Sequence, residues 1–341
     1  MKFMEIIMVF VSAIIALAVS AVSGRFLVPF LRKIKCGQTI KDIGPAWHKG
    51  KQGTPTMGGI MIVIGLLVSL AVTACVYFAA GEGSLLFPNA EYCARIGGGI
   101  VMALLFGAIG FIDDYIKVVK KQNLGLKARQ KLVLQFAVAA LYLFSLKMSG
   151  ATSETYIPFI GPVNLGIFYW IIAAVAIVGI VNAVNLTDGI DGLNGSVTFF
   201  GGLIMFLICS QLRLIGLEYF ATALSGACLG YLVWNFYPAK VFMGDTGSLF
   251  LGGAVCALLF GCNLPILVLL IGIIYLAEML SVVLQVIYFK LTHGKRLFLM
   301  SPIHHHFEKK GWKETKIVTV FSAVQFIFGI AAYIIVIFGV K

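Results

Sequence analysis

Three short segments of this chain set carboxylates beside amides, hydroxyls and glycines. In the first, Gly110-Phe111-Ile112-Asp113-Asp114-Tyr115, two adjacent acids are followed by Lys117, Lys120 and Lys121 one to two helical turns on. Neighbouring carboxylates repel unless a cation lies beside them, so the pair needs a divalent metal or those lysines. Solvated Asp-Lys pairs at a helix end are the plainer alternative. The second segment, residues 182–195, carries Asn182, Asn185, Asp188, Asp191 and Asn194, with Gly189, Gly192 and Gly195 after the last three. Polar groups at every third position lay a strip of amides and carboxylates along a helix end or a series of tight turns. A Gly-rich turn with solvated acids, or a strip of helix-to-helix contacts, would give the same pattern. In the third, Gly244-Asp245-Thr246-Gly247-Ser248, the glycines leave backbone N–H groups free to approach a phosphate while Asp245 holds a metal that the phosphate shares. A simple helix cap at Asp245 is the alternative.

Two further segments are cationic or rich in imidazole. Trp47-His48-Lys49-Gly50-Lys51-Gln52-Gly53-Thr54-Pro55-Thr56-Met57-Gly58-Gly59 suits an anion-binding turn ahead of an apolar run. His304-His305-His306 cannot all point at one ion, because zinc ligands are normally spaced. One or two of them read as donors to phosphate or sugar, or as surface residues. Glu278 is the one carboxylate deep inside a predicted span. An acid there suits a transporter, or is satisfied by Tyr275 or Gln285 across a helix interface.

These groups must be positioned by membrane helices. The chain has 341 residues, is 60% hydrophobic and only 12% charged, against about 25% in soluble domains, and its mean hydropathy is +1.00. That excludes a soluble domain, a disordered chain and a nucleic-acid module, despite a net charge of +12. The seven Cys show no C-x-x-C spacing and define no redox compartment. A bilayer core needs roughly 20 apolar residues per helix, and ten stretches qualify, near 4–31, 57–79, 96–112, 132–146, 166–184, 197–212, 220–237, 248–263, 266–289 and 316–339. The first is read as a retained helix, since Glu5 interrupts the cationic start of a signal peptide. The expected fold is all-α, a single polytopic domain over 1–341.

Most of the 26 Lys and Arg fall in loops 32–56, 113–131, 185–196, 238–247 and 290–315, on one side of the bilayer. The positive-inside rule makes that side cytoplasmic and leaves both termini outside. Every Asp (42, 113, 114, 188, 191 and 245) lies on the same side, which points to an Asp-built site at the cytoplasmic face.

With Thr54-Pro55-Thr56-Met57-Gly58-Gly59, Asp113-Asp114, Asn185-Leu186-Thr187-Asp188-Gly189-Ile190-Asp191-Gly192-Leu193, Gly244-Asp245-Thr246-Gly247-Ser248 and Ser301-Pro302-Ile303-His304-His305-His306 in this order, the chain resembles the phospho-N-acetylmuramoyl-pentapeptide transferases. These belong to the polyprenyl-phosphate N-acetylhexosamine-1-phosphate transferase superfamily. The resemblance runs from about residue 40 to the C-terminus, and the family likewise has ten spans.

The resemblance implies a multi-pass protein of the bacterial inner membrane that moves phospho-MurNAc-pentapeptide from UDP-MurNAc-pentapeptide to undecaprenyl phosphate. The products are lipid I and UMP, the cofactor is Mg²⁺, and a homodimer is common in the family. It implies Asp245 as metal ligand, and Asp113 and Asp114 as a base toward the lipid phosphate, as further metal contacts, or as both. A covalent aspartyl intermediate stays open beside direct attack. Substrate contacts map onto Lys49, Thr54, Asn185, Asp188, Asp191, Asn235, Phe242, Gly244 and Gln285, with His304 and His305 near the sugar-phosphate. Phe242 stacks on uracil and Lys121 neutralises the diphosphate. The competing expectations are a GlcNAc-1-phosphate transferase of the same superfamily and a secondary transporter.

Overall fold

In hydrocarbon every backbone polar group must be paired within the chain, so apolar runs of this length become helices. The computed structural model describes residues 3–34, 51, 53–120 and 125–340. In chain order the elements begin with α1 (Phe3–Lys33), α2 (Ile60–Ala79), the one-turn helices α3 (Gly83–Leu86) and α4 (Ala90–Cys93), a π-helical turn (Ala94–Gly98), α5 (Gly99–Val119) and α6 (Ala128–Met148). An antiparallel hairpin follows, β1 (Glu154–Ile157) with β2 (Gly161–Asn164), pairing Glu154 with Asn164 and Ile157 with Gly161. Then come α7 (Ile167–Thr187), α8 (Leu193–Gln211), α9 (Ile215–Asn235), α10 (Gly244–Gly261), a 3₁₀ turn (Pro265–Leu267), α11 (Val268–Ile271), α12 (Ile273–Leu291), α13 (Ile303–Lys309) and α14 (Glu314–Gly339).

Among the described residues ten helices are long and apolar enough to cross a membrane, one for each expected stretch. Two of them differ from the expectation. The third runs Ala90–Val118, through α4 and the π-helical turn into α5. Asp113 and Asp114 therefore lie on the last turns of α5 instead of beyond its end. The expected span 266–289 is divided at Gly272, between α11 and α12. The break frees the Ile271 carbonyl, which accepts a hydrogen bond from the Gln325 side chain of α14, so the interruption is satisfied inside the protein.

Burial separates a centre from a rim. The most apolar windows of α9 and α10 are 83% and 89% buried, whereas those of α1 and α12 are 28% and 22% buried. Phe10, Ile14 and Phe26 on α1, and Leu284, Ile287 and Leu291 on α12, face outward, as lipid contact requires. At the centre, α10 packs on α5 and α7. A Cβ on Gly252 would stand 2.7 Å from the Val181 Cα, and one on Gly253 2.7 Å from the Ala103 Cα. Glycine lets these backbones touch, and the close packing holds the helices together where lipid offers no hydrophobic drive.

Candidate active site

The last turns of α5 cross the first turn of α10. Gly110 permits it, because a Cβ there would overlap the Asp245 carbonyl group. Asp114, 2% exposed, reaches across: its Oδ2 accepts hydrogen bonds from the Thr246 N–H at 2.9 Å and from the Thr246 hydroxyl at 2.8 Å. It thereby supplies the N-terminal cap that α10 lacks from its own residue Met243. The expectation of free N–H groups at 244–248 is corrected here, since Thr246 N–H is committed to Asp114. Gly244 takes φ +74°, and a Cβ on it would lie 2.6 Å from Asp114 Oδ2 and 2.7 Å from Thr56 Oγ1. Steric approach, in addition to backbone freedom, thus requires this glycine.

Asp113, Asp114 and Asp245 each offer an oxygen within 4.8 Å of the others. Two lysines brace them. Lys117 Nζ lies 2.6 Å from Asp113, 3.7 Å from Asp114 and 3.0 Å from Asp245, and Lys131 of α6 lies 2.9 Å from Asp245. Asp113 Oδ1 also accepts from the Leu126 N–H at 2.7 Å. Unit charges about 4 Å apart interact by about 4 kcal/mol at an effective dielectric constant near 20, so repulsion among three acids is of the same size as attraction to two lysines. The cluster keeps one negative charge in excess, and its hard oxygen donors fit a divalent cation such as Mg²⁺.

Asn185, at the end of α7, donates to Asp245 Oδ1 at 2.9 Å and to the Ser248 hydroxyl at 2.7 Å, which fixes the Asp245 carboxylate. Beyond it the chain turns through Asp188 and Asp191, with Gly192 at φ +81°. Asp191 departs from the acidic cluster. It binds Lys51 at 2.7 Å and the Ala239 N–H at 2.9 Å, its own N–H donates to Glu314, and Lys51 also reaches Glu314 at 2.7 Å. Asn235 accepts from the Gly192 N–H and donates to the Val241 carbonyl, both at 3.0 Å. Asp191 and Asn235 therefore shape the turn and the loop after α9.

Asp188 is pushed up to about 8, first by burial and then by the like charges of Asp245, Asp114 and Asp191, with the Gly244 N–H acting the other way. A carboxyl that keeps its proton in the folded protein to higher pH than its ordinary 3.8 loses stabilisation as pH rises through the folded value. Thermal unfolding in EDTA should therefore show Asp188→Asn gaining stability over the parent toward pH 8 and no advantage near pH 4. An advantage that does not grow with pH would contradict this assignment.

The 54–59 segment docks on residues 242–243: Phe242 N–H donates to the Pro55 carbonyl at 2.8 Å, Gly58 N–H to Phe242 at 2.8 Å and Gly59 N–H to Met243 at 3.0 Å. Val241 and Met243 are fully buried, while the Phe242 ring between them stays partly exposed. Thr54 lies at the edge of this pairing, partly exposed. The three histidines diverge, as their consecutive spacing predicts. His304 Nδ1 meets Glu278 at 3.0 Å, His305 meets Glu308 at 2.6 Å, and His306 accepts from the Leu299 N–H at 3.1 Å. Glu278 Oε2 is thus paired with His304, while among the described residues its buried Oε1 has no hydrogen-bond partner. Tyr275 bonds Thr198 at 2.7 Å, and Gln285 accepts from the Phe298 N–H at 2.8 Å. Gln285 also lines a cavity of about 460 Å³ with Lys290, Arg296, Ser301 and Lys309.

Lys49 and Lys121 lie outside the described residues. Where the sequence pointed to Lys121, the described cluster is braced by Lys117 and Lys131. Lys117 carried a legible signal, since it stands four residues after Asp113. Lys131 and Glu314 carried none beyond their charge.

Residues 51–63 match the signature of phospho-N-acetylmuramoyl-pentapeptide transferases, and residues 96–263 match the family model described as glycosyl transferase family 4. A phospho-N-acetylmuramoyl-pentapeptide-transferase of Alkaliphilus metalliredigens is 42% identical over 92% of this chain and 94% of its own. That of Halalkalibacterium halodurans is 40% identical over 94% of each chain, and that of Caldicellulosiruptor bescii 42% over 96% of each. Ten apolar helices among the described residues and a lysine-braced carboxylate cluster at helix ends, with these likenesses, define a multi-pass membrane phosphoglycosyl transferase. The chain belongs to the phospho-N-acetylmuramoyl-pentapeptide transferase family.

Proposed function

We propose that this protein transfers phospho-MurNAc-pentapeptide from UDP-MurNAc-pentapeptide to undecaprenyl phosphate, giving lipid I and UMP at the cytoplasmic face of the bacterial inner membrane. The observation that carries the reading is the Asp113, Asp114 and Asp245 cluster, braced by Lys117 and Lys131 where α5, α6, α7 and α10 meet. A water-soluble donor and a membrane-bound acceptor can meet only at such helix ends, and both bring negative charge that must be neutralised.

Asp245, with Asp113 and Asp114, would hold Mg²⁺. When bound, the ion supplies Lewis-acid neutralisation of the diphosphate. The lysines add positive charge where charge builds up on the phosphate oxygens. Asn185 keeps Asp245 from rotating away. The lipid phosphate is already ionised at neutral pH, so an oxygen of it attacks the donor's β-phosphorus directly, the bond to the α-phosphate breaks, and UMP leaves with that electron pair. Lys49, Thr54 and Lys121 meet the donor's phosphates, with Asp188, Gly244, Gln285 and His305 as further donor contacts.

The test is UMP release by detergent-purified protein given both substrates and Mg²⁺, with a no-lipid control and UDP-GlcNAc in parallel. Lipid-dependent release from the muramoyl donor alone supports the reading; release from UDP-GlcNAc alone moves the protein to the sibling reaction, and none from either overturns it. Phe242 presents its ring face to the donor's uracil. Phe242→Ala should raise the donor KM by about tenfold or more, the worth of one base stacked on an aromatic ring. A change in kcat with an unaltered donor KM would rule out stacking.

A further inference from the structure

Glu278 and His304 are among the most deeply buried ionisable side chains of the chain, at 0% and 1% exposure, and the proposed reaction leaves Glu278 without a role. Burying a carboxylate costs several kcal/mol, and an apolar pair of similar volume often holds a fold as well or better. Stability therefore does not explain the pair.

Its geometry suggests what does. His304 Nδ1 is 3.0 Å from Glu278 Oε2, which leaves Nε2 as the free ring nitrogen. Among the described residues that buried Nε2 has no hydrogen-bond partner, although buried polar atoms nearly always have one. It lies against Gly189, where a Cβ would overlap the imidazole. Gly189 follows Asp188 and opens the turn that leads to Asp191, so the free nitrogen faces the backbone turn of the candidate site. Glu278 stands on α12, which begins after the break at Gly272, and His304 on α13. The other two histidines are held differently: His305 pairs within α13 with Glu308, and His306 pins the Leu299 N–H.

We propose that Glu278 is a positioning residue for the transfer. Its carboxylate accepts the His304 Nδ1–H and fixes the ring, so that Nε2 is presented at the Asp188–Gly189 turn to a phosphate or sugar oxygen of the donor. An imidazole is oriented by the partner of its other nitrogen. The kinetic arm of the test rests on the transferase reading, and the spectroscopic arm does not.

UMP release, thermal unfolding and ¹⁵N-histidine NMR of the full chain, which has five His, decide it together. Glu278→Leu should lower kcat by about 10- to 100-fold with the undecaprenyl phosphate KM unchanged. Glu278→Gln, whose amide oxygen still accepts from Nδ1–H, should recover most of that loss. In a His304→Ala background Glu278→Leu should cost nothing further. Multiplying losses in the double variant, or a Gln variant as slow as Leu at an unchanged unfolding temperature, would overturn the proposal. Should the Leu variant fail to fold, the Gln variant and the NMR carry the decision. The spectrum, with His304 assigned by its loss in His304→Ala, should show a proton on Nδ1. A ring protonated on Nε2 alone overturns the orientation whether or not the protein releases UMP. If the parent protein releases no UMP while that Nδ1 proton is present, the transferase reading fails and the pairing stands.

Discussion

Asp245→Asn is expected to lower kcat for UMP release by about a thousandfold, the scale of removing a group that stabilises transition-state charge. Asp245 is the acid on which the cluster converges: Lys117 at 3.0 Å, Lys131 at 2.9 Å and Asn185 at 2.9 Å all point at it. Asparagine keeps the shape and one oxygen, so Asn185 can still donate. The charge is gone, however, and the amide N–H₂ must face one of the lysines or the cation. The remaining acids then bind a divalent ion less tightly, because affinity for hard cations follows the number of charged oxygens. Activity should accordingly need more Mg²⁺, and EDTA should abolish it in the parent protein. The unfolding temperature, measured in parallel, should move little, since Asp245 is 19% exposed and its lysines can turn to water. Turnover near the parent rate at unchanged Mg²⁺ dependence would remove Asp245 from the metal site.

The elements were legible in the sequence because each span is apolar over about the length a bilayer needs and most ends carry charge, glycine or proline, and periodicity hardly enters. The break at Gly272 was not, because residues on both sides stay apolar and Gln325, which repairs it, is 54 residues away. The acids of the site were legible as motifs, since Asp113-Asp114, Asp188, Asp191 and Asp245 each sit beside glycine or another acid at a span end. Their division of labour was not. Asp191 looks like Asp188 in sequence, yet one is tied to Lys51 and Glu314 and the other faces the Asp245 cluster. That difference is made by partners far along the chain, Lys51 and Glu314 for Asp191 and Asp245 for Asp188, and no local spacing encodes them. The same holds for Glu278, for which the sequence offered Tyr275 and Gln285, whereas its actual partner, His304, arrives on a separate helix.

Gly110→Ala is the second substitution expected to have a large effect, and it probes the crossing that builds the site. Gly110 lies on α5 one turn before Asp113 and Asp114. An added Cβ would overlap the Asp245 carbonyl and stand 2.6 Å from the Thr246 nitrogen, both atoms of the α10 backbone. A side-chain tip can swing away from such a contact, whereas a helix backbone has to be displaced, and overpacking of this kind costs about 1–3 kcal/mol. The displacement acts where Asp114 caps α10 through Thr246 at 2.8 and 2.9 Å. It parts Asp113 and Asp114 on α5 from Asp245 on α10, so the three oxygens no longer converge. The unfolding temperature should fall, and UMP release should fall by about 100-fold, as shifts near 1 Å at reacting groups do. Gly179→Ala on α7 is the control, since nothing lies within 4 Å of its added Cβ and alanine favours the helix by about 1 kcal/mol. That variant should keep full activity at an equal or higher unfolding temperature. If Gly110→Ala retained both stability and turnover, the contact between α5 and α10 would not set the spacing of the carboxylates, and the metal site would have to be assembled some other way.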